Sequence, residues 1–285
     1  MIYQLAFRKD DSGGPVVPGQ LKVMPNGPEG PAATSLLALE PRVTFLIHGF
    51  NVNREEGATG LGNLAQCLNS ALGAAVVSVL WPGDHWLGPL SYPSEGRDAD
   101  DTAAQFARFI GDVVPPLTSL SFVTHSMGAR VAMETIERLL GRAYRFDQLC
   151  LMAPAVDDTC LASLNAYRAT VENCNRVAVL SSKEDEVLKY AYPAGDLLQA
   201  FAFWHDTAGS ALGYRGPRSH DPSGGVPDNV LHKMIAVDRN SDHGDYIPEF
   251  APGGAQPDNR THRNQESAAR FADQVIGCRQ DPDYV

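Results

Sequence analysis

The stretch that most constrains the fold is residues 119–141, SLSFVTHSMGARVAMETIERLLG, because it joins a strand pattern to a helix pattern. Residues 121–124 are short, apolar and partly β-branched, which is typical of a buried strand. The apolar residues that follow recur at helical spacing, and Gly141 stands where that helix would end. The chain must therefore turn sharply over residues 124–128, and Ser126 stands at the middle of this turn.

A serine hydroxyl is a poor nucleophile unless it faces substrate and contacts a base. A sharp strand-to-helix turn presents the side chain outward, and it requires small residues two positions before and after the serine. Gly128 meets this requirement, whereas Thr124 replaces the usual glycine on the strand side. The following helix would direct the N–H of Met127 and the positive end of its dipole at the reacting centre. A plain strand-to-helix connection is the alternative interpretation.

Strand patterns also occur on both sides of this turn. Short apolar runs predict buried strands at 42–47, 75–80, 148–152, 176–181 and 233–237. Segments with helical spacing lie between them, including one predicted over roughly 159–173. This alternation from residue 42 to residue 277 predicts an α/β fold, in which a mostly parallel sheet carries helices on both faces.

The alternation shows no internal repeat and no clear boundary, so we expect a single domain over residues 1–285. Its N-terminal region, 1–40, is rich in glycine and proline, and we expect it to add an antiparallel hairpin at the edge of the sheet. The insertion 189–232 lies between the last two predicted strands and is long for a plain connection. We expect it to cover the substrate pocket or to be disordered.

Three motifs carry a resemblance to a known superfamily. Residues 124–128 read THSMG after a buried strand, residues 48–51 read HGFN after another, and Trp81-Pro82 follows a third. This combination resembles the α/β-hydrolase superfamily, and within it a bacterial branch with threonine in the first position of the nucleophile elbow. The resemblance extends over roughly residues 40–277, and it implies an α/β-hydrolase fold with a catalytic serine at Ser126.

The resemblance also implies an oxyanion hole, a pair of backbone N–H groups that binds the negative oxygen of a reaction intermediate. Met127 is expected to supply one N–H from the elbow helix, and Phe50 the other from the loop after the strand at 42–47. Phe50 is also expected to line the substrate pocket. His48, in the same loop, is expected to hold it by hydrogen bonding rather than to take part in catalysis.

In this superfamily the nucleophile is followed along the chain by an acid and then by the histidine base. His243 is the expected base because it follows the last predicted strand, at the edge where the carboxyl ends of parallel strands meet. The acid is expected in the segment SSKEDEVL after the preceding strand, where the resemblance selects Asp185 over Glu184 and Glu186. Asp157, one strand earlier, is the alternative.

Three further side chains are assigned to the substrate pocket: His125, Trp81 and Trp86. His125 precedes the serine, and the tryptophans belong to the loop after the strand at 75–80. That loop lies at the carboxyl end of its strand, which is the ligand-binding edge of an open α/β sheet. For the two tryptophans, packing inside the protein is an equally good interpretation.

Composition narrows the class of partner. The chain has 285 residues, a formal net charge of −11 and no basic patch that would neutralise nucleic-acid phosphates. Its apolar stretches are too short to span a bilayer, and the N-terminal sequence lacks the pattern of a signal peptide. Five scattered cysteines without metal-binding spacing indicate reduced thiols, so we expect a cytoplasmic protein with no metal or cofactor.

These expectations favour a serine hydrolase that cleaves a small carboxylic ester through a Ser-His-Asp triad. A thioesterase or a lipase would use the same triad, and the sequence does not separate these substrates. The alternative class is a non-catalytic binding protein on a hydrolase fold, since a fold alone does not give function. The presence of Ser126, Asp185 and His243 in the expected order argues against that alternative.

Overall fold

The computed structural model describes residues 1–9, 14–71, 73–83, 92–162, 166–191, 210–219, 225–253 and 259–285. The strands in these ranges are β1 (Ile2–Ala6), β2 (Gln20–Met24), β3 (Arg42–Ile47), β4 (Ala75–Leu80), β5 (Ser119–His125), β6 (Arg145–Met152), β7 (Cys174–Ser182) and β8 (Val230–Ile235). The helices are α1 (Pro31–Leu37), α2 (Arg54–Cys67), α3 (Tyr92–Val113), α4 (Gly128–Leu139), α5 (Arg168–Glu172), α6 (Leu212–Arg215) and α7 (Arg260–Ile276).

These strands form one sheet in the order β2-β1-β4-β3-β5-β6-β7-β8. β2 runs antiparallel to β1, and the other neighbouring strands are parallel. Every residue of β4 is buried, which requires cover on both faces of the sheet. Helices α3 and α4 pack against each other, as do α2 and α7. The predicted α/β fold with a mostly parallel sheet and helices is therefore confirmed, and so is the N-terminal hairpin.

The centre of the sheet positions the elbow. β3 and β5 are neighbours in register, with Phe45 opposite Phe122 and Ile47 opposite Thr124. The Phe45 ring stacks on Phe122 at 5.4 Å between centroids and meets Phe106 of α3 edge-on at 4.9 Å. Since buried aromatic contacts of this kind resist sliding, the carboxyl ends of β3 and β5 are held side by side.

Two predicted elements are corrected. The last strand is β8 rather than 233–237, because its parallel register with β7 pairs Val177 with Val230 and Ser182 with Ile235. The helix predicted over roughly 159–173 is present as α5 alone in the described residues. Before α5, the N–H of Tyr167 donates to the carbonyl of Cys160 at 3.0 Å.

The N-terminal region also contains a helix that the sequence patterns do not predict. α1 is only seven residues long, too short to display helical periodicity. Its first residue is Pro31, whose fixed φ suits the first turn of a helix. Ala33 and Leu37 are buried, so α1 is held by packing against the core.

Part of the insertion 189–232 docks at the end of the sheet. The N–H of Leu212 donates to the carbonyl of Val156 at 2.7 Å, and the N–H of Gly213 donates to Pro154 at 2.9 Å. A Cβ on Gly213 would lie 2.4 Å from the backbone of Ala153, so α6 touches the loop after β6 directly. Residues 192–209 and 220–224 lie outside the described residues, and the pocket-covering role stays a prediction.

The five cysteines, Cys67, Cys150, Cys160, Cys174 and Cys278, are free thiols. Burial raises the pKa of the Cys174 thiol to about 12 and also raises that of Cys150 and Cys160, which keeps these groups in the unreactive thiol form. Among the described helices, none combines the length and apolar character needed to cross a membrane.

Candidate active site

Ser126 occupies the strained turn that the sequence predicts. It follows β5 directly and has φ 54°, a left-handed conformation that is rare for residues other than glycine. Its N–H donates to the carbonyl of Met152 at 3.1 Å, and its own carbonyl accepts from the N–H groups of Ala129 and Ala155 at 3.1 and 3.2 Å. Backbone hydrogen bonds from the neighbouring strand and helix thus hold the strained conformation in place.

The small residue after the turn is a steric requirement. A Cβ on Gly128 would lie 2.6 Å from the carbonyl oxygen of His48 and 2.7 Å from that of Ile47. On the other side, Thr124 is the penultimate residue of β5, where extended backbone suits a β-branched side chain. Its Oγ1 donates to the carbonyl of Cys150 at 3.3 Å. Threonine is therefore accommodated by facing β6, away from the turn.

Ser126, His243 and Asp185 form a continuous chain of hydrogen bonds. The Nε2 of His243 lies 2.9 Å from the Ser126 Oγ, and its Nδ1 lies 2.7 Å from the Asp185 Oδ2. A carboxylate accepts hydrogen bonds but does not donate them, so Nδ1 carries the proton and Nε2 accepts from the serine hydroxyl. Ser126 is only 4% exposed and Asp185 is fully buried, which places this chain in a region largely shielded from water.

The structure also separates Asp185 from the other acids considered. The second oxygen of Asp185 accepts from the N–H of Leu188 at 2.9 Å, which orients the carboxylate. Glu186 is exposed, and Glu184 is only partly buried. Asp157 accepts from the backbone N–H of Thr159 at 2.8 Å and from its hydroxyl, which is a turn-capping arrangement.

The loops that carry the acid and the base are tied together by polar side chains that the sequence patterns do not single out. Ser182, the last residue of β7, donates from Oγ to the carbonyl of Ser241 at 2.8 Å and accepts from the N–H of Glu184 at 3.1 Å. Asp245 accepts from Asn264 of α7 at 2.9 Å. A polar residue at a strand end is too common to mark such a role, so only the fold reveals it.

The loop after β3 lies directly against the elbow. A Cβ on Gly49 would lie 2.8 Å from the Ser126 Cβ, so only glycine allows this approach. Phe50 is partly buried beside it, and Met127 stands at the N-terminus of α4. Met127 follows Ser126 in the chain and Phe50 follows Gly49, and the expected role of their backbones as oxyanion donors stays a prediction.

His48 holds this loop through the contacts expected of a structural residue. Its Nε2 accepts from the N–H of Trp81 at 3.2 Å, and its Nδ1 lies 2.8 Å from the carbonyl of Gly49. The indole N–H of Trp81 donates to the carbonyl of His48 at 2.9 Å, and the two rings stack. Trp81 is fully buried, so its observed contacts correspond to the packing interpretation. Trp86 lies outside the described residues.

His125 is also buried, at 9% exposure, and lies in the wall of a cavity of about 450 Å³. Apolar parts of this cavity come from Leu61 and Ile247, and its other side reaches Gly49 and Gly244. Burial, and to a lesser degree the neighbouring His243, lowers the pKa of His125 well below its usual value. His125 is therefore neutral at pH 7. A substrate contact for this residue stays a prediction.

Several solved structures resemble the chain at low sequence identity. Esterase PE8 is 14% identical, with 83% of this chain and 93% of that chain covered and a TM-score of 0.39. The hyperthermophilic esterase from the archaeon Pyrobaculum calidifontis is 14% identical, with coverage of 85% and 75% and a TM-score of 0.41. Aspergillus fumigatus lipase B is 12% identical, with coverage of 87% and 55% and a TM-score of 0.44.

No curated protein matches the sequence of this chain. A family model does match, over residues 37–195, and its description is alpha/beta hydrolase of unknown function (DUF900). The matched region begins at the last residue of α1, continues past Asp185 and includes the turn at Ser126. This is more than half of the 285 residues. The chain therefore belongs to this family of alpha/beta hydrolases.

Proposed function

We propose that this protein is a serine hydrolase that cleaves carboxylic esters through an acyl-enzyme intermediate. The observation that carries the proposal is the hydrogen-bonded chain from Ser126 through His243 to Asp185, with distances of 2.9 and 2.7 Å. A nucleophile, a base and a carboxylate that orients the base are the three parts that acyl transfer requires. They come from three different loops, which follow the carboxyl ends of β5, β7 and β8.

Acylation begins when the Ser126 oxygen attacks the ester carbonyl carbon while His243 Nε2 takes the hydroxyl proton. The imidazole becomes positively charged, and the carboxylate of Asp185 stabilises that charge through Nδ1–H. The carbonyl π electrons move to oxygen and form a tetrahedral intermediate. When the intermediate collapses, the bond to the leaving alkoxide breaks, and His243 returns the proton to that oxygen, so that an alcohol departs.

The oxyanion of this intermediate requires hydrogen-bond donors that are already in place. We assign the backbone N–H groups of Met127 and Phe50 to this role. The positive end of the α4 dipole adds to the stabilisation, because α4 begins at Gly128, two residues after the nucleophile. The close approach of Gly49 to Ser126 supports the assignment, since it brings the loop after β3 to the reacting centre.

Deacylation repeats the same chemistry with water. His243 Nε2 takes a proton from a water molecule as its oxygen attacks the acyl carbon. A second tetrahedral intermediate collapses, the bond to the Ser126 oxygen breaks, and His243 returns the proton to that oxygen. The products are a carboxylic acid and the free enzyme. A thioester would follow the same steps with a thiol as the leaving group.

We further propose a small-molecule ester as the substrate and a reducing compartment such as the cytoplasm as the location. The net charge of −11 disfavours a nucleic-acid partner because phosphates would be repelled. The free thiols at all five cysteine positions support the assignment to a reducing compartment.

The proposal is tested with p-nitrophenyl esters of graded acyl length and with a fluorophosphonate probe. We expect the wild-type protein to hydrolyse at least one ester and to be labelled by the probe. Ser126→Ala is the control, which should abolish both signals and keep a cooperative thermal unfolding transition. Mass spectrometry of the labelled protein should place the phosphonate on the peptide that contains Ser126.

Each result separates the two classes of function. Turnover by the wild type that is lost in Ser126→Ala supports the esterase, and the acyl-length profile gives the size of the acyl pocket. An unlabelled wild-type protein that also hydrolyses none of the esters would favour a non-catalytic binding protein. Labelling without turnover of oxygen esters would keep the serine as nucleophile and direct the search to thioesters.

A further inference from the structure

His125 makes a contact that the proposed mechanism leaves unused. We infer that His125 is a positioning residue: its imidazole holds the backbone of His243, and so fixes the base against Ser126. This inference rests on the proposed function of the site and goes beyond it, because His125 needs no contact with substrate in this role.

The central contact is a partly buried hydrogen bond. The Nε2 of His125 lies 3.0 Å from the backbone carbonyl oxygen of His243. A carbonyl oxygen only accepts, so the proton of the neutral imidazole is on Nε2. The His125 ring is 9% exposed, so loss of this hydrogen bond would leave a largely buried ring site without its polar contact, which is costly.

Aromatic contacts hold the ring in the orientation that this bond requires. The His125 ring stacks against Tyr246 with centroids 5.6 Å apart and an interplanar angle of 27°. It lies 4.8 Å from the ring of His243 at an angle of 40°. Tyr246 is fully buried and belongs to the same loop as His243. The ring therefore packs between the base and the core, with little room to rotate.

Neighbouring residues of the elbow thus attach to His243 at two points. Ser126 contacts the imidazole, and His125 contacts the peptide carbonyl. The left-handed conformation of Ser126 interrupts the alternation of side chains along β5, so two neighbouring residues can engage both parts of His243. The position of the base is then set relative to the nucleophile itself, in addition to its contact with Asp185.

Other hydrogen bonds reach the His243 loop from its own residues, from α7 and, through Ser182 and Asp185, from the end of β7. The N–H of His243 donates to Asp242 at 2.7 Å, and Asp245 joins the loop to Asn264. These bonds come from parts of the fold other than β5. Without the bond from His125, the loop could shift relative to the elbow while remaining folded.

The neutral state of His125 matters for the reaction. His243 becomes positively charged during acylation, and its ring is 4.8 Å from that of His125. A second positive charge at that distance would oppose the formation of the imidazolium. Burial keeps His125 uncharged, so it can hold the base without opposing its protonation.

The test compares three replacements of His125 that differ in whether they carry a hydrogen-bond donor and in how far it reaches. The side-chain amide of Gln reaches about as far as the imidazole Nε2, whereas that of Asn ends near the position of Nδ1. Phe keeps an aromatic ring for stacking but has no donor. The wild type and His125→Gln, His125→Asn and His125→Phe are measured for kcat, KM, labelling rate by the fluorophosphonate and Tm.

We expect His125→Asn and His125→Phe to lower kcat and the labelling rate by about 10- to 100-fold, because a base displaced by about 1 Å costs this much. KM should change by less than about threefold, as expected when substrate binding is untouched. His125→Gln should recover at least about 10-fold in kcat over His125→Asn. Rescue by the amide that reaches the carbonyl, and not by the shorter one, is a signature that packing alone does not produce.

Equal kcat and labelling rate in the wild type, His125→Asn and His125→Phe would overturn the inference. So would equal losses in all three variants, because the donor would then be irrelevant. A rise in KM at unchanged kcat would put His125 against substrate, as the sequence predicts, and would also overturn it. In each case an active wild type and an inactive Ser126→Ala leave the esterase proposal intact, whereas an unlabelled wild type would overturn both.

Discussion

The described residues include two serine–histidine pairs that look alike by distance. Ser126 Oγ lies 2.9 Å from His243 Nε2, and Ser181 Oγ lies 2.6 Å from His232 Nε2. Ser126 stands beyond the end of β5 with φ 54°, whereas Ser181 lies inside β7 and is fully buried between its neighbouring strands. The shorter hydrogen bond therefore belongs to the serine that no substrate can approach.

The two histidines differ as much as the two serines. The far side of His243 contacts the buried carboxylate of Asp185 at 2.7 Å. His232 is exposed at the edge strand β8, and within the described residues no hydrogen bond joins it to a carboxylate. Burial of part of its ring, and then the nearby Lys183, lowers its pKa. The contrast teaches that a strained turn and an orienting acid, rather than a short distance, distinguish the proposed nucleophile from a structural serine.

The largest expected effect comes from removing each serine in turn. Ser126→Ala should lower kcat by about 10⁴- to 10⁶-fold, as loss of a serine nucleophile does in other hydrolases. Ser181→Ala should leave kcat within about twofold. Ester hydrolysis under saturating substrate measures both, and a comparable loss in Ser181→Ala would break the distinction between the two pairs.

The second effect comes from replacing Asp185, the proposed acid that is hydrogen-bonded to His243. Asp185→Asn should lower kcat by about 10⁴-fold, because an amide no longer selects the tautomer with the proton on Nδ1. Asp157→Asn is the matched control, since Asp157 contacts Thr159 and should leave kcat nearly unchanged. Steady-state kinetics of both variants decides the assignment, and the reverse pattern of losses would transfer the role to Asp157.

The third effect compares Gly128, two residues after Ser126, with Gly216, which packs on the His232 ring. An added Cβ at Gly128 would lie 2.6 Å from the carbonyl oxygen of His48, so Gly128→Ala should displace the elbow and lower kcat by about 10²-fold. Gly216 has φ +77°, and a Cβ at this position would lie 2.2 Å from the His232 ring. Gly216→Ala should therefore lower Tm while keeping kcat, and parallel measurements of Tm and kcat compare the two variants.

The smallest effect is the pH dependence of stability. Burial lowers the folded-state pKa of both His125 and His232 below the unfolded value of about 6.5. Between the folded and unfolded pKa values the unfolded state binds more protons, so stability rises with pH. Tm should fall as pH is lowered from about 7 to about 5. His125→Gln should remove more of this slope than His232→Gln, because His125 is buried among His48 and His243.

Thermal unfolding at several pH values measures these slopes. His232→Gln serves as the reference variant, because His232 is exposed on the edge strand β8. If His125→Gln left the slope of Tm against pH unchanged, the His125 imidazole would not stay neutral in the folded protein as the pH is lowered. The same variant is informative about positioning, so stability and kcat can be compared in one protein.

The sequence was informative where a local pattern has a single structural meaning. A buried strand, THSMG and a helical repeat can join only through a tight turn, so Ser126 was identified without any long-range contact. Chain order within the resembling superfamily then selected Asp185 and His243, which lie 2.7 Å apart although they are separated by 58 residues. No local sequence pattern, however, indicates how deeply Asp185 and His243 are buried or which groups contact them.

Other features depended on neighbours distant in sequence. The bounds of β8 follow from its register with β7, and α1 is too short to show a period. Trp81 had two equally good interpretations, and its full burial against His48 came from the packing of β4 beside β3. These features depend on contacts between side chains that come together only when the sheet forms.

By itself, the sequence determined the alternation of strands and helices, the strained turn at Ser126 and the order of the candidate triad, because these depend on periodicity, on small residues and on chain order. Only the tertiary structure shows that Ser181 lies against His232, and that His125 Nε2 lies 3.0 Å from the backbone carbonyl oxygen of His243. The reason is physical: hydrogen bonds between residues 51 and 118 positions apart depend on which strands become neighbours and on where their ends converge.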